Sequence, residues 1–160
     1  MNILIFTDGS CVKGIKAAYG YYMMIDQEIY EDYRVLEGDK TNNKAEISGM
    51  ILALEILNEF VKYNDTINIY SDSEYTIKSL TEWIDRWKKN GWKTADKKPV
   101  KNVELIQKMD QLYNELKIKC PNLKINHIRA HQKEPKKDTK EWILWNGNNK
   151  VDIEIGKLTK

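Results

Sequence analysis

The sequence predicts an α/β fold in which helices cover a mixed β-sheet. Two isoleucine-rich runs, "NILIFTD" (2–8) and "TINIYSD" (66–72), are apolar enough to form largely buried strands. The tyrosine-rich stretch 17–36 alternates imperfectly, which is typical of a pair of antiparallel strands. Apolar residues recur at three- and four-residue intervals over 43–61 and 101–117, so both segments are predicted to be helices.

The remaining segments complete this order. Asp26-Gln27 is a suitable tight connection between the two tyrosine-rich strands. "LKINHIR" (123–129) is predicted to be the last strand, and the chain from about 147 to form a short helix. No repeat, low-complexity tract or linker divides the 160 residues, so we expect one domain over 1–160.

Composition points to an intracellular setting. No apolar run reaches the roughly 18 residues of a membrane span, and the N-terminus lacks the pattern of a secretory leader. Cys11 and Cys120 are the only cysteines and neither belongs to a CxxC pair, so we expect no disulfide framework. We expect a cytoplasmic monomer that has no membrane partner.

Positive charge is concentrated in one segment. The chain carries a net charge of +2, whereas residues 86–101 hold seven basic residues against one acid, Asp96. A concentrated basic stretch of this kind is the electrostatic pattern of a surface that binds a polyanion.

Two acids end the isoleucine-rich strands. Asp8 closes the first strand and precedes Gly9, which would allow the backbone to turn there and leave it open to a ligand. Asp72 closes the second, and functional groups gather at the carboxyl ends of parallel strands. The structural alternatives are an acid in a turn for Asp8 and a helix cap for Asp72.

Two further acids lie on predicted helices. Glu46 shares a stripe with Met50, Leu57 and other apolar residues, so it is predicted to face the sheet. The alternative is a capping box in which Asn43 caps the helix and Glu46 reaches back. Asp152 is predicted at the start of the final helix, where an acid also suits the helix dipole.

The four acids carry more information together than singly. Four carboxylates close together repel one another unless cations neutralise them. Oxygen ligands favour a hard ion, Mg²⁺ first and Mn²⁺ second. Two such ions about 4 Å apart can hold the attacking and leaving oxygens of a phosphodiester displacement. We expect Asp8 to bridge them from the centre of the sheet.

Several motifs in this order resemble the type 1 ribonuclease H (RNase HI) family. They are "TDGSC", "TNNKAE", "SDSEY" and "NNKVD", with "WKKNGWKTADKKPVKN" resembling the basic protrusion, or handle, of the bacterial enzymes. The resemblance runs from Ile3 to about Gly156. Each acidic motif is weak alone, but four in order together with the handle are highly specific.

The resemblance implies an RNase H-like fold, a five-stranded mixed sheet of three antiparallel strands and two parallel additions, flanked by helices. It implies metal-dependent endonucleolytic cleavage of the RNA strand of an RNA–DNA hybrid, leaving 3′-OH and 5′-phosphate ends. No separate hybrid-binding domain is expected before the catalytic one. The resemblance implies that the catalytic carboxylates are Asp8, Glu46, Asp72 and Asp152. It implies that the histidine on the family's mobile loop is His131. It also implies that the residues that contact the hybrid near the helix of Glu46 are Thr41, Asn42 and Asn43.

The two histidines are predicted to differ. His127 lies within the predicted last strand, so we expect it to be packed. His131 follows in the polar segment "HQKEPKKD", where a surface histidine without a role is the alternative. We favour a role for His131 in proton transfer near the departing 3′ oxygen or in product release.

The sequence departs from the family pattern at three places. Cys11 lies where the family usually has a glycine-rich turn and a hybrid-contacting asparagine, and Glu74 stands where many members carry glutamine. We expect both to lie at the substrate surface, where the charge of Glu74 would weaken RNA contacts or shift the metal preference. The 20 residues between His131 and Asp152 form an insertion, whose first half is predicted to be a mobile loop.

The handle combines lysine with tryptophan. Trp83 and Trp87 are four residues apart, so one helix face would present both rings, although packing at the base of the helix is the alternative for Trp83. Basic groups suit phosphates and aromatic rings suit sugar or base. The hybrid-binding residues predicted here are Trp83, Trp87, Lys88, Lys89, Trp92, Lys93, Lys97 and Lys98.

Two other functions stay open. The first is a catalytically silent module that binds RNA–DNA hybrids, which the intact set of four acids disfavours. The second is a related nuclease or an integrase-type DNA strand-transferase of the same fold, which the handle and the "TNNKAE" helix disfavour.

Overall fold

A five-stranded sheet forms the centre of the computed structural model, which describes residues 1–160. The strand order across the sheet is β3-β2-β1-β4-β5. The strands are β1 (Asn2–Val12), β2 (Lys16–Ile25), β3 (Glu28–Val35), β4 (Thr66–Ser71) and β5 (Leu123–His127). The α-helices are α1 (Asn42–Phe60), α2 (Glu74–Lys78), α3 (Ile84–Lys89), α4 (Val103–Lys119) and α5 (Lys140–Leu158), with a π-helical segment, Ser79–Trp83, joining α2 to α3.

Pairing across the sheet confirms the predicted mixed topology. Strand β2 pairs antiparallel with both β1 and β3. Strand β4 pairs parallel with β1, and β5 pairs parallel with β4. The connection between β2 and β3 is Asp26-Gln27, as predicted, and Asp26 adopts a positive φ of 54°. Asparagine and aspartate tolerate this left-handed conformation better than most residues, which suits Asp26 to the turn.

Helices cover both faces of the sheet. The larger apolar core lies between the sheet, α1 and α4, and includes Ile5, Met50 and Met109. The smaller core lies under α5, where Phe6 contacts Val151 and Ile155. Successive residues of a strand point to opposite faces, so the side chain of Asp8 projects from the same face as that of Phe6.

The first strand is longer than predicted. Its pairing with β2 continues to Val12, and Gly9 pairs with Tyr19 inside the strand, so the predicted turn at Gly9 is wrong. Gly9 is needed for close packing instead, because a Cβ there would come within 2.2 Å of the Ala45 backbone in α1. Asp8 therefore lies within β1, although it still follows the last residue of β1 that pairs with β4.

The last helix also differs from the prediction. Helix α5 has 19 residues and begins at Lys140 instead of at about 147, so Trp142 to Trp145 belong to it. The Thr139 side chain caps its N-terminus by accepting a hydrogen bond from the Trp142 amide. Asp152 consequently lies in the body of α5, and the prediction that it occupies the first turn is wrong. No helix combines the length and apolar character needed to cross a bilayer.

Candidate active site

The ends of two parallel strands bring the first pair of acids together. The parallel pairing of β1 with β4 ends at Thr7 and Ser71. Asp8 directly follows Thr7, and Asp72 directly follows Ser71. Asp8 is 7% exposed and Asp72 is half-buried. The two carboxyl groups are close enough for each to affect the pKa of the other.

Close packing of α1 on β1 delivers the third acid. A Cβ on Gly49 would lie 2.6 Å from the Asp8 carbonyl oxygen, so only glycine lets the helix approach this closely. Glu46 lies one turn earlier on α1 and is half-buried. The Ser73 hydroxyl donates a hydrogen bond of 2.5 Å to its carboxylate. Glu46 thus faces the strand ends, as its apolar stripe predicted.

These three acids form a group that could hold a metal ion. One carboxylate oxygen from each of Asp8, Glu46 and Asp72 lies within 4.8 Å of the others. All the donors are carboxylate oxygens, and a group of partly buried carboxylates fits a hard divalent cation. The group therefore supports a divalent metal site at this edge of the sheet.

The electrostatics of Asp8 support the same conclusion. Burial is the largest cause that raises the pKa of Asp8, to about 9, and the carboxylates of Asp72 and Asp152 raise it further. Burial also raises the pKa of Asp72, although the hydrogen bond from Asp8 opposes that change. A carboxyl group that stays protonated up to this pH lies where neighbouring carboxylates would repel its negative charge. A bound cation would offset that repulsion.

Glu46 responds to the same environment. Burial raises its pKa, the hydrogen bond from Ser73 lowers it, and the charge of Asp72 raises it again. Ser73 was not predicted as a site residue. Its signal in the sequence is its place directly after Asp72, where it caps α2 by accepting from the Thr76 amide.

Asp152 lies beside this group but outside it. Its charge contributes to the raised pKa of both Asp8 and Asp72. Asp152, Asp72 and His131 together line a cavity of about 230 Å³ between α5 and the segment that follows β5. The exposed imidazole of His131 is close enough to lower the pKa of Asp72 by attraction, as is that of His127.

The structure excludes the capping alternatives for the acids. The residue that caps α1 is Thr41, whose hydroxyl accepts from the Lys44 amide, so Asn43 and Glu46 form no capping box. Ser73, and not Asp72, caps α2. Neither acid is therefore explained by the need to start a helix.

His127 is exposed, which contradicts the prediction that it is packed. The reason is the position of its strand, because β5 is at the edge of the sheet and His127 is its last residue. It lines a shallow cavity of about 200 Å³ with Glu74 and Lys78. Glu74 is exposed as predicted for a surface residue, and its carboxylate lies 4.0 Å from the Lys78 amine.

The residues at the start of α1 have contacts of their own. The Asn42 side-chain oxygen accepts a hydrogen bond of 2.8 Å from the backbone amide of Cys11. This contact ties the end of β1 to the helix and leaves the Asn42 amide group free to donate. Asn43 is exposed and Cys11 is half-buried. Their contact with a hybrid stays a prediction.

The tryptophans of the handle are attached to the core. Trp83 and Trp87 are in contact, with ring centroids 5.8 Å apart, and Trp83 also meets Tyr75 edge-on. Trp87 and Trp92 are half-buried against the larger core. The rings anchor the basic segment, which is the packing alternative that the sequence left open for Trp83.

The handle lysines divide into two groups. Lys88 forms an ion pair of 2.6 Å with Asp110 of α4, whose side chain is only 14% exposed. The others are exposed and form no ion pair, namely Lys89, Lys93, Lys97 and Lys98. Backbone hydrogen bonds from Thr94 to Lys98 and from Val100 to Trp92 hold the tip as a small hairpin. The tip therefore presents a net positive charge, since Asp96 is the only acid among these lysines.

Comparison with known proteins identifies the family. The family model described as RNase H matches residues 1–154, which include all four acids and the handle. The chain belongs to the RNase H family.

Individual relatives agree with this assignment. A ribonuclease H from Ruthia magnifica subsp. Calyptogena magnifica is 43% identical over 119 residues, covering 71% of this chain and 76% of that protein. A ribonuclease H from Wolbachia pipientis wMel is 40% identical over 121 residues, covering 73% of this chain and 78% of that protein.

Solved structures share the fold. RNase H1 from Halobacterium salinarum NRC-1 is 25% identical with a TM-score of 0.58, over 81% of this chain and 87% of that one. The RNase H domain of PFV is 22% identical with a TM-score of 0.74, over 98% of this chain and 93% of that one. These similarities place the sheet and helices described above in the RNase H fold.

Proposed function

We propose that this protein is an endonuclease that hydrolyses the RNA strand of RNA–DNA hybrids with divalent metal ions, Mg²⁺ before Mn²⁺. The observation that supports it most is the group formed by Asp8, Glu46 and Asp72 at the ends of β1 and β4. RNase H relatives about 40% identical to this chain support the choice of reaction.

Asp8, Glu46, Asp72 and Asp152 would hold two metal ions in this proposal, with Asp8 shared between them. Bound ions supply a nucleophilic water at neutral pH and stabilise charge on the attacking and leaving oxygens. The protein's own part is to keep these acids together despite their repulsion. Gly9 and Gly49 do so by letting α1 approach β1, and Ser73 by orienting Glu46.

His131 has the role of a proton carrier in this proposal. Its imidazole is exposed and lines the same cavity as Asp72 and Asp152, and an imidazole nitrogen can both accept and donate a proton. It would give a proton to the departing 3′ oxygen, leaving a 3′-OH and a 5′-phosphate.

The hybrid would lie across the strand ends and the handle. Exposed lysines at the hairpin tip suit the phosphates of one strand, and a nucleic acid duplex of A-like geometry is recognised by its shape and 2′-hydroxyls. Thr41, Asn42 and Asn43 at the exposed start of α1 would contact the backbone near the scissile phosphate. The catalytic and binding parts form one domain over 1–160 in this proposal.

A substrate panel tests the function. The protein is incubated with Mg²⁺ and an RNA–DNA hybrid, double-stranded DNA or double-stranded RNA of the same sequence. We expect internal cuts in the RNA of the hybrid and none in the other duplexes. Binding of the hybrid without any cleavage in Mg²⁺ or Mn²⁺ would favour the silent binding module, and processing of DNA ends would favour the strand-transferase.

A further inference from the structure

The backbone of His131 adopts an unusual conformation. Its φ is 54°, in the left-handed region that residues other than glycine rarely occupy. Such a conformation persists only where the surrounding contacts fix it. The segment 128–139 forms neither helix nor strand, and the hydrogen bonds beside His131 are made by the side chains of Gln132 and Trp145.

Two hydrogen bonds hold the turn at His131. On one side, the Gln132 side-chain amide donates to the Ala130 carbonyl at 3.2 Å, which spans the histidine. On the other side, the indole N–H of Trp145 donates to the Gln132 carbonyl at 2.8 Å. The second bond joins the turn to a helix 13 residues further along the chain.

The helix that provides this indole also carries an active-site acid. Trp145 and Asp152 are seven residues apart on α5, so they lie on the same side of the helix two turns apart. Both residues line the cavity of about 230 Å³ that also contains Asp72 and His131. A single rigid element therefore fixes the distance between the acid and the attachment point of the histidine turn.

A neighbouring tryptophan makes a similar but weaker attachment. The indole N–H of Trp142 donates to the exposed side chain of Glu134 at 3.0 Å, and the rings of Trp142 and Trp145 are 6.4 Å apart. Its partner is a flexible carboxylate three residues beyond His131, whereas Trp145 bonds to the backbone of the adjacent residue. Trp142 thus orders the insertion without constraining the histidine directly.

We propose that Trp145 is a positioning residue for catalysis, because its indole N–H fixes the His131 turn against α5. This proposal rests on the role given to His131 in the proposed function. The insertion between His131 and Asp152 then has a specific purpose, since it starts α5 early enough to place an indole beside the histidine turn.

The test is a double-mutant cycle on cleavage of an RNA–DNA hybrid in Mg²⁺. Trp145→Phe keeps an aromatic ring but removes the indole N–H donor together with part of the ring, a loss of size that the matched variant Trp142→Phe shares. We expect kcat to fall by roughly two- to tenfold, the range for one neutral hydrogen bond, with KM unchanged. In the His131→Ala background, Trp145→Phe should cause no further loss, because the group that it positions is absent.

Two more variants secure the interpretation. Trp142→Phe is the matched control and should leave kcat within twofold of the wild type. Gln132→Ala removes the other hydrogen bond of the turn at an exposed position, so it should fold normally and show the same dependence on His131. If Trp145→Phe lowers the melting temperature severely, Gln132→Ala provides the test in its place.

Each contrary outcome has a distinct meaning. An equal loss from Trp145→Phe with and without His131 would overturn the proposal, since the tryptophan would then act on α5 itself. Wild-type kcat for Trp145→Phe and Gln132→Ala, with His131→Ala impaired, would overturn it too, while leaving the proposed function intact. Wild-type kcat for His131→Ala would instead remove the proposed role of the histidine.

Discussion

The backbone carbonyl of Asp8 lies directly against Gly49, at a place where a Cβ would come within 2.6 Å of it. This contact sets the distance between β1 and α1, and therefore between the Asp8 and Glu46 carboxylates. The hydroxyl of Thr7 would be equally close to such a Cβ, at 2.8 Å. The packing of a glycine thus determines the geometry of the acidic group.

We predict that Gly49→Ala separates the helix from the strand. Overpacking against backbone should lower the free energy of unfolding by about 1–3 kcal/mol, and Mg²⁺ should stabilise the variant less than the wild type because Glu46 moves with α1. Thermal melts with and without Mg²⁺ measure both effects. Gly156→Ala is the matched control, since a Cβ at that helical position meets nothing within 4 Å. Equal metal stabilisation of Gly49→Ala and the wild type would contradict the prediction.

The raised pKa of Asp8 predicts how stability depends on pH. Its pKa is about 9 in the folded protein against an ordinary value of 3.8, so between these values the folded state holds a proton that the unfolded state has lost. The stability of the metal-free protein should therefore fall as pH rises from about 4 to about 9. The cause is that folding must return a proton to Asp8, and this proton uptake becomes less favourable as the proton concentration falls.

Asp8→Asn isolates this effect. Without divalent metal, the variant should melt above the wild type at pH 8, by at least the roughly 2–4 °C that 1 kcal/mol represents at this size. The difference should shrink towards pH 5. Adding Mg²⁺ at pH 8 should raise the melting temperature of the wild type and leave that of Asp8→Asn nearly unchanged. A variant that melts below the wild type at pH 8 without metal would contradict the electrostatic account of the site.

The hairpin tip of the handle should control the salt dependence of hybrid binding. Changing Lys93, Lys97 and Lys98 together to alanine removes three exposed charges that form no ion pair. The slope of log affinity against log salt should become shallower by roughly 0.9 for each phosphate that the variant no longer neutralises. Fluorescence anisotropy with a labelled hybrid at several salt concentrations measures this slope.

A charge-matched triple variant is the control for the handle. The control lysines are Lys62, which lies just after α1, and Lys117 and Lys119, which lie in the last turn of α4. They are on the side of the molecule where β4 begins, at the opposite end of that strand from Asp72. Their replacement by alanine should leave the slope unchanged. If both triple variants change the slope equally, the salt dependence of hybrid binding reflects only the net charge of the protein. The handle would then not be a specific binding surface for the hybrid.

Glu74 should reduce affinity for the hybrid through its charge. It is exposed at the first position of α2, two residues after Asp72, and its nearest cation, Lys78, is 4.0 Å away. Glu74→Gln should therefore tighten hybrid binding at low salt, and the gain should vanish at high salt because exposed charges are screened. Glu82→Gln, an exposed acid on the π-helical segment, is the control. An unchanged affinity for Glu74→Gln at low salt would place Glu74 away from the substrate.

The central acids could be predicted because each belongs to a strong local pattern. Asp8 and Asp72 end short isoleucine-rich runs that are typical of buried strands, and Glu46 interrupts an apolar helical stripe. These patterns depend on periodicity and burial, both of which are visible in one sequence. The mixed character of the sheet followed from the order of the predicted strands and helices, and its five-stranded arrangement from the family resemblance.

Other features depend on contacts between distant residues and were missed. The prediction begins the last helix at about 147, whereas α5 begins at Lys140 and includes Asn146, Gly147 and Asn148, which favour helices weakly. Tertiary packing overrides that preference, because a Cβ on Gly147 would come within 2.2 Å of the Phe6 ring, so glycine lets α5 pack closely on the sheet. The exposure of His127 depends on its strand being at the edge, which sequence alone does not reveal.

Single-turnover cleavage by Asp8→Asn is the most direct test of the proposed two-metal site. The substitution keeps the shape of the side chain and removes the charge that Asp8 would share between two ions. We predict that Asp8→Asn binds an RNA–DNA hybrid with nearly wild-type affinity and does not cleave it in Mg²⁺, while the wild type cuts the RNA strand internally. Cleavage by Asp8→Asn at a rate near that of the wild type would contradict the assignment of Asp8 as the central metal ligand.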